Sequence, residues 1–266
     1  MTGRGRLWIR LPRSALAAFF FFAFGLGGLV LGVLLFPLLL LLGTGQRSGR
    51  ARRALVRFCY RLFVGAARVT GLFRVAVTPE DRKKLASLRG CVVVANHTTL
   101  IDVVILLACL PDATAVAKAA AGRNFFYSRV VNGAFIVNDD PAGVLDAANR
   151  LLSEGVNILI FPEGTRTPPD SPHRKLHRGA AQIALHAGAP VRCVRITSDP
   201  QVLAKGQPWW DVADRVITFS LFDVGELPVP ANVSGVVPHA AAVALTDRIG
   251  EKLMILARRS VASRQT

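Results

Sequence analysis

Two short stretches of this chain carry residue types that move protons and hold anions. In VVVANHTTLID, residues 92–102, an apolar run ends at Asn96 and His97, and Asp102 follows five positions after the histidine. A carboxylate bonded to one imidazole nitrogen fixes the tautomer and supports the imidazolium. The other nitrogen is then free to take a proton from a hydroxyl. On one straight helix this spacing puts the two side chains roughly 140° apart in azimuth. Pairing therefore requires His97 in a strand-to-helix turn and Asp102 in the helix behind it. The constellation is the base and orienter of a hydrolase triad with no nucleophile, since no G-x-S-x-G elbow occurs. That absence points to a hydroxyl supplied by a substrate. The plainer alternative is that His97 and Asp102 cap a helix and satisfy one another.

The second stretch is FPEGTRT, residues 161–167. Gly164 permits a tight turn. Arg166 offers a planar fork suited to phosphate or carboxylate. Glu163 can position Arg166 or accept from a substrate hydroxyl. The alternative is a surface turn with a Glu–Arg pair. A P-loop is excluded, because G-x-x-x-x-G-K-[ST] does not occur.

Both stretches follow β-rich runs, and the rest of the chain says what supports them. Such runs occur at 73–77, 91–95, 113–117, 134–137, 156–161, 191–197 and 216–222. Helical patterns fall at 79–88, 100–109, 141–153, 177–187 and 239–259. This is the alternation of an α/β fold, a mainly parallel or mixed sheet covered by helices. Ligands collect at the C-terminal ends of strands in such folds, where both stretches stand. Thr167–Lys175 reads as a proline-rich loop.

The formal net charge of +16 is unevenly placed. Residues 1–68 hold eleven arginines and no Asp, Glu or Lys, while the remainder holds 22 basic and 17 acidic residues. The arginines flank an uncharged apolar segment, 15–42, long enough for about 42 Å of helix against a bilayer core of about 30 Å. It is too long for a signal peptide and lacks a cleavage site. Two readings stay open: a single tilted span, or a re-entrant hairpin bent near Gly25–Gly28. Positive flanks on both sides favour the hairpin and a cytoplasmic domain. Residues 51–68 read as a basic amphipathic helix, suited to anionic headgroups or to packing on the domain. The expected organisation is a basic flank (1–14), an apolar membrane anchor (15–42), a basic amphipathic segment (43–70) and a catalytic domain (71–266). No nucleic-acid motif accompanies the charge, so no nucleic-acid partner is expected. The four cysteines show no metal-ligand spacing, and no metal is expected. His173, His177, His186 and His239 have no carboxylate at comparable spacing and read as loop or surface residues. Trp209-Trp210 could sit at a membrane interface or cover the core.

NHTTLID resembles the NHxxxxD signature of the lysophosphatidate (1-acylglycerol-3-phosphate) acyltransferases, and FPEGTRT resembles their FPEGTR signature. NGAFIVN (132–138), HRGAAQIALHAGAPV (177–191) and the apolar segment ahead of the domain look similar too. The resemblance covers about residues 70–225. It implies His97 as general base, Asp102 as its orienter, and a lysophospholipid hydroxyl attacking an acyl thioester. Acyl-CoA or acyl carrier protein would be the co-substrate, with no cofactor and no covalent acyl-enzyme. It implies substrate contacts from Asn96, Thr99, Glu163, Gly164, Thr165, Arg166 and Asn138, and a bacterial-type inner-membrane location with the domain on the cytoplasmic face.

Two positions depart from the family pattern. Asn138 stands where an arginine is usual, and Cys193 where a second proline is usual. Asn138 cannot replace a guanidinium, although Arg129 or Lys118 could compensate. A different acceptor stays open: another lysophospholipid, a lyso-aminolipid or a specialised acyl product. A non-catalytic lipid-binding protein is the remaining reading, and the intact His97 and Asp102 argue against it.

Overall fold

The structure is a computed structural model that describes residues 3–43, 45–123, 125, 127–167, 175–229 and 237–262. His173 and most of the expected proline-rich loop lie outside the described residues. Among the described residues seven strands form one sheet: β1 (Phe73–Val77), β2 (Val92–Ala95), β3 (Ala113–Lys118), β4 (Ile136–Asn138), β5 (Asn157–Ile160), β6 (Val191–Asp199) and β7 (Ile217–Leu227). Their order is β1-β7-β6-β2-β5-β3-β4. Only β6 and β7 pair antiparallel, so β1 and β7 run opposite to the other five. The sheet is mixed, and every expected run supplies a strand.

β2 and β5 are neighbours at the centre, and every residue of both is buried. This explains their continuous apolar sequences, since a strand covered on both faces cannot alternate. Val92 and Val94 face one apolar cluster while Val93 and Ala95 face the other. Helix α5 (Asp102–Cys109) carries β2 to β3 across one face. Helix α8 (Gly179–Ala187) carries β5 to β6 across the other face, beside α7 (Pro141–Ser153) and α9 (His239–Ala262). Connections leaving two adjacent parallel strands to opposite sides open a crevice at their C-terminal ends. His97 and Glu163 follow those two ends.

Several local signals explain the helix boundaries. The Asp140 carboxylate accepts from the amides of Ala142 (3.2 Å) and Gly143 (2.9 Å), with Pro141 at the first helical position of α7. Thr78 caps α4 (Pro79–Ala86) by accepting from Asp81 N at 3.1 Å. Gly188 ends α8 in the left-handed region, at φ 61°. Helix α6 (Ser128–Ala134) was not expected from sequence. It occupies the start of the run expected as strand at 134–137, so β4 begins only at Ile136.

The N-terminal region corrects one expectation. Helix α1 (Gly3–Val30) runs unbroken through Gly25–Gly28, continues through a π-helical turn (Leu31–Leu35) and a short helix α2 (Phe36–Leu39), and ends in a 3-10 turn at Leu42. The reversal comes at Gly43, with φ 92°, before α3 (Gln46–Val69) returns alongside. Glycines inside a helix weaken it by about 1 kcal/mol each, and the intervening apolar side chains repay that by packing: Phe20 and Phe24 lie against Phe63, with ring centroids 5.2 and 5.5 Å apart. Leu11–Leu39 is long and apolar enough to cross a membrane, with mean hydropathy 2.5, and only 22% of its most apolar window is buried.

Both ends of this helical stretch are fastened to the same α/β domain. Near its start the Arg13 guanidinium donates to the carbonyls of Gly71 (3.2 Å), Leu72 (3.1 Å), Ala213 (2.8 Å) and Arg215 (2.8 Å). Near its end, Phe36 packs so closely on Gly133 of α6 that a β-carbon there would lie 2.7 Å from its ring. On α3, Arg53 is buried and holds Asp112 through Nε (2.6 Å) and Nη2 (3.2 Å).

Candidate active site

The turn after β2 is built around one carboxylate. Asp102 is fully buried, a position that costs several kcal/mol for an unpaired charge. It is compensated by four donors. Oδ2 accepts from Thr98 N (2.7 Å) and Thr99 N (2.8 Å) and lies 3.0 Å from His97 Nδ1. Oδ1 accepts from the Thr99 hydroxyl. Helix α5 begins at Asp102, whose charge also complements the helix dipole there. Nδ1 therefore carries the hydrogen, and Nε2 is the basic nitrogen. The His97 side chain retains 20% exposure, so the ring meets the crevice while its orienter stays dry.

Neighbouring elements fix the ring. The Phe161 ring stacks on it, with centroids 4.3 Å apart and planes 25° apart. Glu163 is buried, and its Oε1 accepts from His97 N at 3.2 Å. His97 O in turn accepts from Thr167 N at 2.8 Å. The strand ends of β2 and β5 are thus laced together, and the two sequence stretches form one site. Asn96 and Thr99 are bonded within the protein. The Asn96 amide donates to Ile196 O (2.7 Å) and accepts from Ile196 N (2.8 Å), which ties β2 to β6. Thr99 is fully buried and grips Asp102. Both are buried and support the turn.

The turn after β5 is looser. Gly164 has φ 62°, and a β-carbon there would lie 3.0 Å from the His177 ring. His177 is held by its own amide, which donates to Pro162 O at 2.7 Å. Thr165 is exposed. Arg166 Nη1 donates to the carbonyls of Leu203 (2.9 Å) and Ala204 (3.2 Å), in the connection between β6 and β7. Its Nε and Nη2 make no hydrogen bond among the described residues. Asn138 stands apart. It is exposed at the end of β4, three strands from β2, or roughly 14 Å at ordinary strand spacing. Its register partner is Lys118, also exposed. Arg129 instead lays its side chain against Gly32, beside the π-helical turn. His186 is not in this site, and His239 contacts Arg178.

Three contributors escaped the sequence reading. Phe161 reads as the end of a strand, and only the fold brings its ring onto His97. The connection after β6 carries no motif, yet Gln201 Nε2 donates to Thr98 O (3.3 Å) and Leu203 O accepts from Leu100 N (3.2 Å). The third is an apolar cavity of about 210 Å³ lined by Phe20, Phe63, Leu72, Leu100, Ile101 and Val202, among others. A water needs roughly 10–15 Å³ on this measure, so the cavity is large enough for an extended apolar group.

Residues 74–197 match the Acyltransferase family model, which places the chain in the acyltransferase class. A 1-acyl-sn-glycerol-3-phosphate acyltransferase of Bacillus subtilis (strain 168) is 30% identical over 138 residues, covering 50% of this chain and 68% of that one. The human 1-acyl-sn-glycerol-3-phosphate acyltransferase alpha is 28% identical over 178 residues, covering 63% of this chain but only 58% of the human one. The crystal structure of the 1-acyl-sn-glycerophosphate (LPA) acyltransferase PlsC from Thermotoga maritima shares the fold, with TM-score 0.61 over 95% of this chain and 98% of that one at 23% identity. The chain belongs to the 1-acyl-sn-glycerol-3-phosphate acyltransferase family.

Proposed function

We propose that the protein transfers a fatty acyl group from a thioester donor to the free hydroxyl of a lysophospholipid, of which 1-acyl-sn-glycerol-3-phosphate is the type. One observation carries the reading: the segment 97–102 bears the proton-handling pair at its two ends and lines the apolar cavity through Leu100 and Ile101 in between. A base and a space for an alkyl chain are therefore built from one turn. His97 Nε2 takes the proton as the acceptor oxygen attacks the thioester carbonyl. As the tetrahedral intermediate collapses, the C–S bond breaks and the imidazolium returns the proton to the departing thiolate. Asp102 holds Nδ1–H throughout and stabilises the imidazolium. Glu163, Gly164 and the Nε and Nη2 groups of Arg166, unbonded among the described residues, frame the acceptor headgroup. No cofactor enters these steps.

The membrane supplies the acceptor. The stretch from Arg13 to Phe36 is about 35 Å long at helical rise, longer than the hydrocarbon core of about 30 Å. A helix crossing that core would carry its two ends to opposite sides. Here both ends are fastened to one polar domain, which favours a helix lying within one leaflet. Phe22 of α1 and Phe58 and Leu62 of α3 are exposed, suiting contact with lipid, and the flanking arginines suit a cytoplasmic, anionic surface.

Asn138 favours a second acceptor reading, a headgroup other than a phosphomonoester, although Lys118 beside it offers one cation. The deciding measurement is thiol release by the purified protein from acyl-CoA and acyl carrier protein thioesters, against a panel of lysophospholipid and lyso-aminolipid acceptors. Acceptor-dependent release that His97→Ala abolishes supports transferase activity. Lipid binding without release from either donor overturns it in favour of a lipid carrier. If lysophosphatidate is strongly preferred and Asn138→Arg adds nothing, the second acceptor reading falls.

A further inference from the structure

The connection between β6 and β7 presents two tryptophans that no step of the proposed chemistry uses. Trp209 and Trp210 are 40% and 58% exposed and stack edge to face, with centroids 5.3 Å apart. Neither indole N–H makes a hydrogen bond among the described residues. Large aromatic surface is costly to leave in water, and a free N–H suits a boundary that is apolar on one side and wet on the other. The turn that carries them is ordered: Asp211 N donates to Pro208 O (3.1 Å), Val212 N to Trp210 O (2.9 Å) and Gln207 Nε2 to Asp211 Oδ2 (3.0 Å). Presenting the rings therefore costs little further conformational entropy.

This turn is joined to the apolar N-terminal helix. The Trp209 ring lies 5.5 Å from that of Phe21, and the Ser14 hydroxyl donates to Trp210 O at 3.1 Å. Phe22, the next residue of α1, is 70% exposed. The tryptophans thus continue the helix's uncovered apolar face. Lys205 and Arg215 lie on either side of them in sequence, but Asp211 and Asp214 lie between and Arg215 is paired with Asp199 at 2.8 Å, so it is the rings and not net charge that suit this turn to a headgroup boundary. At its other end the same connection holds the site: Leu203 binds Leu100 and Arg166, and Gln201 binds Thr98.

We infer that Trp209 and Trp210 form a second lipid contact, seated at the headgroup boundary of the leaflet that receives α1, and that this contact sets the depth of the catalytic turn. The inference rests on the proposed seating of α1 in one leaflet. With the helix and the tryptophan turn both held, the domain cannot roll about the helix axis, and the mouth of the cavity stays level with the acceptor hydroxyl.

The test uses the full chain in a Trp8→Phe, Trp209→Phe background, leaving Trp210 as the sole tryptophan, excited at the red edge where tyrosine does not absorb. The vesicles contain phosphatidylglycerol and phosphatidylcholine, brominated either near the top or near the end of the acyl chains. The expected result is a blue shift of Trp210 emission on binding, with stronger quenching by the shallow bromines. Protein that floats with the vesicles while Trp210 is unshifted, or is quenched best by deep bromines, overturns this inference and leaves the seating of α1 intact. Protein that fails to float overturns both. A kinetic arm separates depth-setting from folding. Trp210→Ser is expected to raise KM for acceptor presented in vesicles about three- to tenfold, with kcat and the rate in detergent micelles unchanged. Equal loss in both settings assigns Trp210 a structural role instead.

Discussion

The two turns that close the central strands differ in how completely they are bonded. After β2, Asn96 is tied to Ile196, and both threonine amides and a hydroxyl are tied to Asp102. After β5, Gly164 needs a left-handed backbone, Thr165 is exposed and, among the described residues, Arg166 has one of its nitrogens held. The difference matches the work proposed for each. Proton transfer needs a base held to fractions of an ångström, so its turn is locked from within. A turn that receives a charged headgroup must keep donors unpaired until the headgroup arrives. Rigidity and open bonding capacity are thus divided between adjacent strand ends, and the Glu163 contact to His97 N joins them.

The largest expected break in this comparison is His97→Ala. Losing a positioned general base costs about 10²–10⁴ in kcat, and unchanged thermal melting would place the loss in chemistry. Near-normal turnover would remove His97 from the mechanism. Next comes Asn96→Ala. It strands the amide and carbonyl of Ile196, each costing about 1–3 kcal/mol when buried and unpaired. Chemical denaturation is expected to show that loss, with KM for the acceptor unchanged. A specific rise in KM would restore Asn96 as a substrate ligand.

Gly164→Ala tests the looser turn. A left-handed alanine costs about 1–2 kcal/mol, and its methyl would crowd the His177 ring. The expected result is a higher acceptor KM with a smaller change in kcat. A purely kcat effect would move Gly164 to the proton-transfer side.

The smallest effect concerns the strands beneath the turns. Burial pushes the Cys91 thiol up to about 12 and the Cys193 thiol up to about 11. An unfolded thiol titrates near 8.5, so the folded state holds these protons more tightly. Their contribution to stability is complete below about pH 8.5 and is lost as pH rises towards the folded values. Denaturation from pH 8 to 11 should show that decline, reduced in Cys193→Ser. Rapid labelling of either thiol at pH 8 in folded protein would show that the support under the catalytic turn opens.

Much of this was legible in the residues. The apolar run before His97 named a buried strand, and the five-residue interval to Asp102 excluded a shared helix face, leaving the turn the structure contains. The β-rich runs marked all seven strands because periodicity and β-branching are local. The bend at Gly25–Gly28 was misplaced for a physical reason. Glycine lowers helix propensity only modestly, and Phe20, Phe24 and Phe36 hold the helix by contacts with residues distant in sequence. The bonds of Asn96 to Ile196 and of Thr99 to Asp102 were not legible, because a motif records which residues recur together, not which way their polar groups turn.

The sequence by itself determined the His97–Asp102 pair, the strands that carry it, the apolar helix and the family, because these reside in residue identity and short spacing. Tertiary structure alone decided that Phe161 shelves the imidazole, that Asn96 and Thr99 serve the turn, and that the tryptophan connection joins the helix to Arg166. Those relations depend on strand order, which brings β2 beside both β5 and β6, and local sequence pattern does not encode which strands become neighbours.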